Sequence, residues 1–250
     1  MSAETEPPGP GGALRAALLV AAAADEERLA SCLRAGPDLV VLDVAALGAS
    51  GVAAFAALIR AAAAGVPVYA RVTANAAGGL AELAMVLPAA PDGIWLGDAV
   101  GRVDIERLGV ALGVAEAEAG LGDGAIRIVA SVESAAGALR VLSLSEAGPR
   151  LAGIACDGGA IARETGAAAD SETMRVVRAG VVLAAAAAGV PAMDATGIDL
   201  RPIQAARAAR DGFSGLLVRD PAGIAVVKAA RGQAVVGRWI ENFVSGVATK

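Results

Sequence analysis

The chain has 250 residues, a formal net charge of −5, no histidine, and 56% apolar composition of which aromatic residues supply only 2%. An acidic balance excludes an electrostatic nucleic-acid binder and disfavours anionic membrane surfaces, and scarce aromatics offer few platforms for stacking bases. Without histidine the commonest general base, the commonest metal ligand and the Ser-His-Asp arrangement are gone, so chemistry must run on carboxylates, Arg, Lys, hydroxyls or a bound metal.

Residues 1–12, acidic and rich in Pro and Gly, are expected to form a mobile tail before one domain that fills 13–250 with a carboxyl-terminal extension. The first apolar run predicts a strand at 17–22 and a helix at 26–34, with Asp25 as its N-cap. A strand at 39–43, a helix at 52–64 stopped by Gly65, and a strand at 66–72 follow. Next come a helix at 80–86, a strand at 93–96, a helix at 103–119 and a strand at 126–132. A helix at 135–142, a strand at 152–156, a long helix at 172–188 and a strand at 190–194 continue the rhythm. It closes with a helix at 203–211, a strand at 215–218 and a helix at 222–230. Beyond Gly232, the residues Arg238, Trp239 and Phe243 read as a short helix that packs on the core or reaches a neighbouring subunit.

Eight strands alternating with helices predict parallel pairing and an α/β fold of the (β/α)8 TIM-barrel type. The apolar run at 181–192 is interrupted by Gly189 and Pro191, short of the roughly 20 residues that span a bilayer, so no membrane span is expected. Cys32 and Cys156 match neither a disulfide framework nor a zinc motif, which points to a reducing cytoplasm.

In such a barrel, chemistry gathers at the carboxyl ends of the strands. The candidates there are Asp43, Arg71, Asp98, Glu133, Asp157, Asp194, Arg219 and Asp220. Each has a bland alternative. Glu133 and Asp157 stand where an acid caps the helix that follows, and Asp43 and Asp194 where barrel mouths hold salt-bridge networks. Arg71 can simply be paired, and Arg178 suits a structural ion pair. No GxGxxG or Walker signature occurs, and the Gly158-Gly159 pair is too short for a phosphate loop.

Several stretches resemble the citrate lyase β-subunit family of the HpcH/HpaI aldolase superfamily. They are LLVAAAADEERL at 18–29, LVVLDV at 39–44, YARVTA at 69–74, ASVESAAGAL at 130–139, MRVVRAGVVLAAAAAGVPAMDATGIDL at 174–200 and DGFSGLLVRDPAGIAVV at 211–227. The resemblance implies a TIM barrel of the phosphoenolpyruvate/pyruvate-domain type, a homo-oligomer or a hetero-assembly, and a small carboxylate or acyl-CoA substrate. It also implies Mg2+ as cofactor, with Arg71 on the substrate carboxylate and Glu133 as the first metal carboxylate. The second metal carboxylate is missing: in CDGGAIA at 156–162, Gly159 and Ala160 stand where Glu and Asp are expected. Asp157, three residues earlier, is the candidate replacement.

Asp43 and Asp194 match acidic positions of the family that would orient water or metal, and Asp199 matches one that reaches an adjacent subunit. Ala45 and Ala46 replace a Glu-Asp pair, Asp98 a Lys, and Asp220 a His. CoA phosphates need basic residues, and Arg15, Arg28 and Lys228 are too scattered to assign. Two functions follow as expectations. One is a carbon-carbon lyase or aldolase acting on a 3-hydroxy acyl-CoA or small oxo acid, with weakened or lost metal dependence. The other is a catalytically inactive relative serving as scaffold, sensor or subunit.

Overall fold

The computed structural model describes residues 15–20, 26–63, 65–74, 79–195 and 200–230. The amino-terminal tail, Asp25, Asp199 and the expected helix around Trp239 lie outside the described residues. Eight parallel strands close into a barrel in sequence order. They are β1 (Arg15–Val20), β2 (Leu39–Asp43), β3 (Val68–Thr73), β4 (Gly93–Gly97), β5 (Arg127–Val132), β6 (Leu151–Cys156), β7 (Ala192–Asp194) and β8 (Gly215–Val218).

The helices are α1 (Glu26–Ala35), α2 (Val44–Ala62), α3 (Gly79–Val86), α4 (Arg102–Glu118), α5 (Ala135–Arg140), α6 (Gly158–Thr165), α7 (Glu172–Ala188), α8 (Pro202–Arg210) and α9 (Pro221–Ala230). The predicted (β/α)8 order is therefore observed, with two additions. Helix α2 starts eight residues before its predicted start at 52, because Asp43 accepts a hydrogen bond from the Ala46 amide and caps an extra segment. That segment kinks at Gly48, whose φ of 65° suits a residue without a Cβ. Helix α6 was read as a turn because two glycines weaken the helical pattern. The Asp157 carboxylate starts it all the same, accepting from the Ala160 amide at 2.9 Å.

Helix α2 is also the one described helix long and apolar enough to cross a membrane. Its Val52, Phe55, Ala56 and Ile59, spaced i, i+3, i+4 and i+7, are buried in the main core instead.

Strand parity divides the interior. Successive side chains of a strand point to opposite faces, and the buried residues accordingly form two clusters. The larger, including Val40, Leu42, Ala70, Val72, Ala130, Val132 and Cys156, lies between barrel and helices. The smaller fills the barrel: Ala17, Leu19, Leu39, Val41, Tyr69, Trp95, Val129, Ala152, Ala155, Met193 and Leu217. Two rings dominate this filling, and Gly93 makes room for one of them: a Cβ there would stand 2.2 Å from the Tyr69 ring.

At the opposite end from the mouth, ion pairs tie the ends together. Glu116 on α4 is fully buried and accepts from Arg150 and from the backbone N–H groups of Gly124 and Ile126. Burial pushes its carboxyl up, but the Arg150 and backbone hydrogen bonds outweigh that and hold it below the ordinary range. Arg150 also pairs with Asp123. These contacts fasten the segment that leads from α4 into β5.

Candidate functional site

The same parity decides which strand-end residues enter the mouth. Counting by twos from interior residues, Val41 leads to Asp43, Tyr69 to Arg71, Val129 to Ser131 and Glu133, Ala155 to Asp157, and Leu217 to Arg219. A cavity of about 120 Å³ opens there, lined by Leu19, Asp43, Arg71, Trp95, Ser131, Glu133, Asp157, Ala195, Leu217 and Arg219. It has the room of about four water molecules at roughly 30 Å³ each, enough for a small acid of a few carbons.

Arg71 organises this mouth. Its Nη2 donates to Glu133 Oε2 at 2.7 Å and its Nη1 to Asp43 Oδ2 at 3.4 Å. The register pairs Asp43 with Arg71 on adjacent strands. To reach Glu133, which follows β5, the guanidinium passes over Gly97 on β4. A Cβ at Gly97 would lie 2.9 Å from Arg71 Nη2 and 3.3 Å from Glu133 Oε1, so the crossing depends on a bare backbone there.

Burial raises the Glu133 carboxyl above its ordinary value; Arg71 and the Ser131 hydroxyl oppose this, and the nearby Asp157 charge adds to it. Ser131 is fully buried. Its Oγ meets no hydrogen-bond partner of ordinary geometry, although it lies close enough to Glu133 to favour the charged carboxylate.

The other expected residues fall elsewhere or do other work. Asp157 lines the cavity while also capping α6, so both readings of it hold at once. Asp194 has the wrong parity for the mouth. It follows the interior Met193, so it points toward the helices, and Ala195 takes the place in the lining. Asp194 instead accepts from Arg178 of α7 at 2.7 Å. Arg178 also reaches Asp211 and lies 4.5 Å from the centre of the Phe213 ring. The expected role of Asp194 in orienting water or metal therefore has no geometric support, and Arg178 is in the ion pair expected of it. Asp98, at the end of β4, adopts a left-handed φ of 54°, and Asp220 caps α9 through the Gly223 amide at 2.7 Å. Neither lines the cavity. Ser131, Trp95 and Gly97 were not singled out from sequence; the i, i+2 spacing of Ser131 and Glu133 is the signal that finds the first.

Glu133 and Asp157 are the carboxylates open to a cation. Among the described residues no group of three or more acidic, cysteine or histidine side chains converges on one point. Two carboxylates still fit magnesium, which takes one or two from protein and keeps several waters. Arg71 already engages one of them.

Fold and site together define a (β/α)8 barrel whose mouth carries three carboxylates and two arginines. No protein-family model matches the chain, and no curated protein matches it significantly. Solved structures do. The chain is similar to RipC from Yersinia pestis, with 23% identity over 87% of this chain and 94% of the other, at a TM-score of 0.67. The citrate lyase β subunit of M. tuberculosis, complexed with oxaloacetate and magnesium, matches at 22% identity over 88% and 97%, with a TM-score of 0.66. Haloferax volcanii malate synthase, in its magnesium and glyoxylate complex, matches at 17% identity over 90% and 77%, with a TM-score of 0.71. At these identities the likeness is one of fold, and it is the fold that the resemblance to the citrate lyase β-subunit family implied.

Proposed function

We propose that the chain is a carbon-carbon lyase or aldolase of the citrate lyase β-like kind, acting on a small oxo acid or on the acid end of a 3-hydroxy acyl-CoA. The observation that carries this reading is the Arg71 guanidinium, fixed between Asp43 and Glu133 over a small polar cavity. A guanidinium held in place offers its N–H groups to a carboxylate, and to the oxygen on which charge develops when a carbon-carbon bond breaks. Trp95, Leu19 and Leu217 keep the cavity floor apolar, which strengthens that interaction. The volume admits the acid end alone, so the remainder of an acyl-CoA would lie outside the mouth.

Glu133 and Asp157 would hold the magnesium ion. When bound, it supplies a Lewis acid for the ligand's oxygens. The complexes of citrate lyase β subunit with oxaloacetate and magnesium, and of malate synthase with magnesium and glyoxylate, support a ligand of this class. A homo-oligomer or hetero-assembly in the cytoplasm is part of the same reading, and two free buried cysteines suit a reducing compartment.

A second reading has its own observation. Ala160 stands at the place of an expected acid, Asp157 commits an oxygen to the Ala160 amide, and Arg71 occupies Glu133. A mouth so satisfied suits a non-catalytic barrel that senses or scaffolds. Incubating purified protein with malyl-CoA or citramalyl-CoA and magnesium separates the two. The lyase reading expects turnover that Arg71→Ala abolishes; no turnover, with acid binding intact, leaves the sensor.

A further inference from the structure

The two arginines of the cavity differ in what they already hold. Arg71 is shared between Asp43 and Glu133. Arg219, the second cation of the lining, has no side-chain ion pair or hydrogen bond among the described residues. Its backbone carbonyl alone is engaged, by Arg28. The positions are also opposed. In a closed ring of eight strands in sequence order, β8 lies four places from β4, and the Arg71 clamp passes over β4. An acid seated at Arg71 therefore extends its far end toward Arg219.

Nothing nearby neutralises that cation. Asp220, the next residue, spends its carboxylate on the Gly223 amide. Asp157 spends one oxygen on Ala160. An exposed Arg aimed at a polar cavity is the place where an entering anion gains most, because no resident carboxylate has to be displaced. Below it, the fully buried Ser131 hydroxyl offers a hydrogen bond that the protein itself does not use well.

We propose that Arg219 binds a second anionic group of the ligand, so that the cavity selects dicarboxylates over monocarboxylates, with Ser131 hydrogen-bonding an oxygen at the inner end. The inference rests on the small-acid reading above and adds the ligand's charge pattern and the residue that reads it. Arg219 is a binding residue here; no bond-breaking step is assigned to it.

Calorimetric titration of the full chain with oxaloacetate and with pyruvate tests it. The wild type is expected to bind oxaloacetate at least about 10-fold more tightly than pyruvate, the gain of one charge-assisted hydrogen bond. Arg219→Gln should collapse that preference to within about 3-fold, and Arg219→Lys should restore part of it as a point charge. Ser131→Ala should weaken both acids by about 3- to 10-fold and leave the preference intact. The preference should also shrink as salt is raised in the wild type and not in Arg219→Gln. Melting temperatures read alongside show that each variant is folded. A preference that survives Arg219→Gln, or pyruvate binding as well as oxaloacetate to the wild type, overturns the proposal while leaving the small-acid reading standing. Binding of neither acid removes both.

Discussion

Arg71 and Glu133 meet at 2.7 Å although one strand lies between those that carry them, and Gly97 on that strand is what lets them meet. Gly97→Ala would bring a methyl group to 2.9 Å from Arg71 Nη2. The neighbour that must yield is the end of a long side chain, so the fold should lose only about 1 kcal/mol, the low end for overpacking. The clamp should be displaced, and affinity for oxaloacetate should drop about 10-fold or more. Parallel denaturation and calorimetry check both halves. A variant that binds as the wild type does would show that the clamp is not the binding element.

Asp194 and Arg178 form a pair of the opposite kind, between barrel and helix, with side chains only 10% and 12% exposed. Asp194→Ala leaves a largely buried guanidinium with Asp211 as its remaining partner, and should cost about 3–5 kcal/mol of stability. Ligand affinity at a temperature where the variant is folded should stay within about 2-fold. Urea unfolding gives the first number and titration the second.

Which strand-end residues serve the site was largely legible before the structure. Strand order, the barrel and the cluster of Asp43, Arg71, Glu133 and Asp157 follow from runs of apolar residues ending in charge. Asp194 was misplaced because β7 is only three residues long, too short for its own pattern to reveal which face each residue takes. Parity counted from Met193 settles it, yet that Met193 faces inward comes from packing. The crossing of Gly97 by Arg71 was illegible for a different reason. A glycine's role there is to leave space for a side chain fixed two strands away, and no local pattern carries that information.

Glu116 makes stability depend on acid. Its folded carboxyl is held below the ordinary value it regains on unfolding, so its contribution is full above the ordinary carboxylate range and is lost as pH falls through the lower folded value. Urea midpoints followed downward from pH 7 should decline in that acid window, and Glu116→Gln should flatten the decline. Glu116→Ala, which strands Arg150 beside Asp123 alone, should cost about 3–5 kcal/mol at pH 7.

Gly93→Ala would drive a methyl into the Tyr69 ring, which is fully buried in the barrel. Neither the ring nor the strand has room to retreat, so the loss should exceed about 3 kcal/mol, the usual upper range for overpacking. Pairing it with Tyr69→Leu should recover much of the melting temperature.

Those two rings have a kinetic corollary. Trp95 floors the cavity and Tyr69 fills the barrel with it, so the chamber is a cul-de-sac and not a corridor. Whatever enters first must leave last. Were a ligand split inside, the fragment nearer the rim would have to depart before the one lodged against Ser131, and product inhibition by the inner fragment would compete directly with fresh substrate.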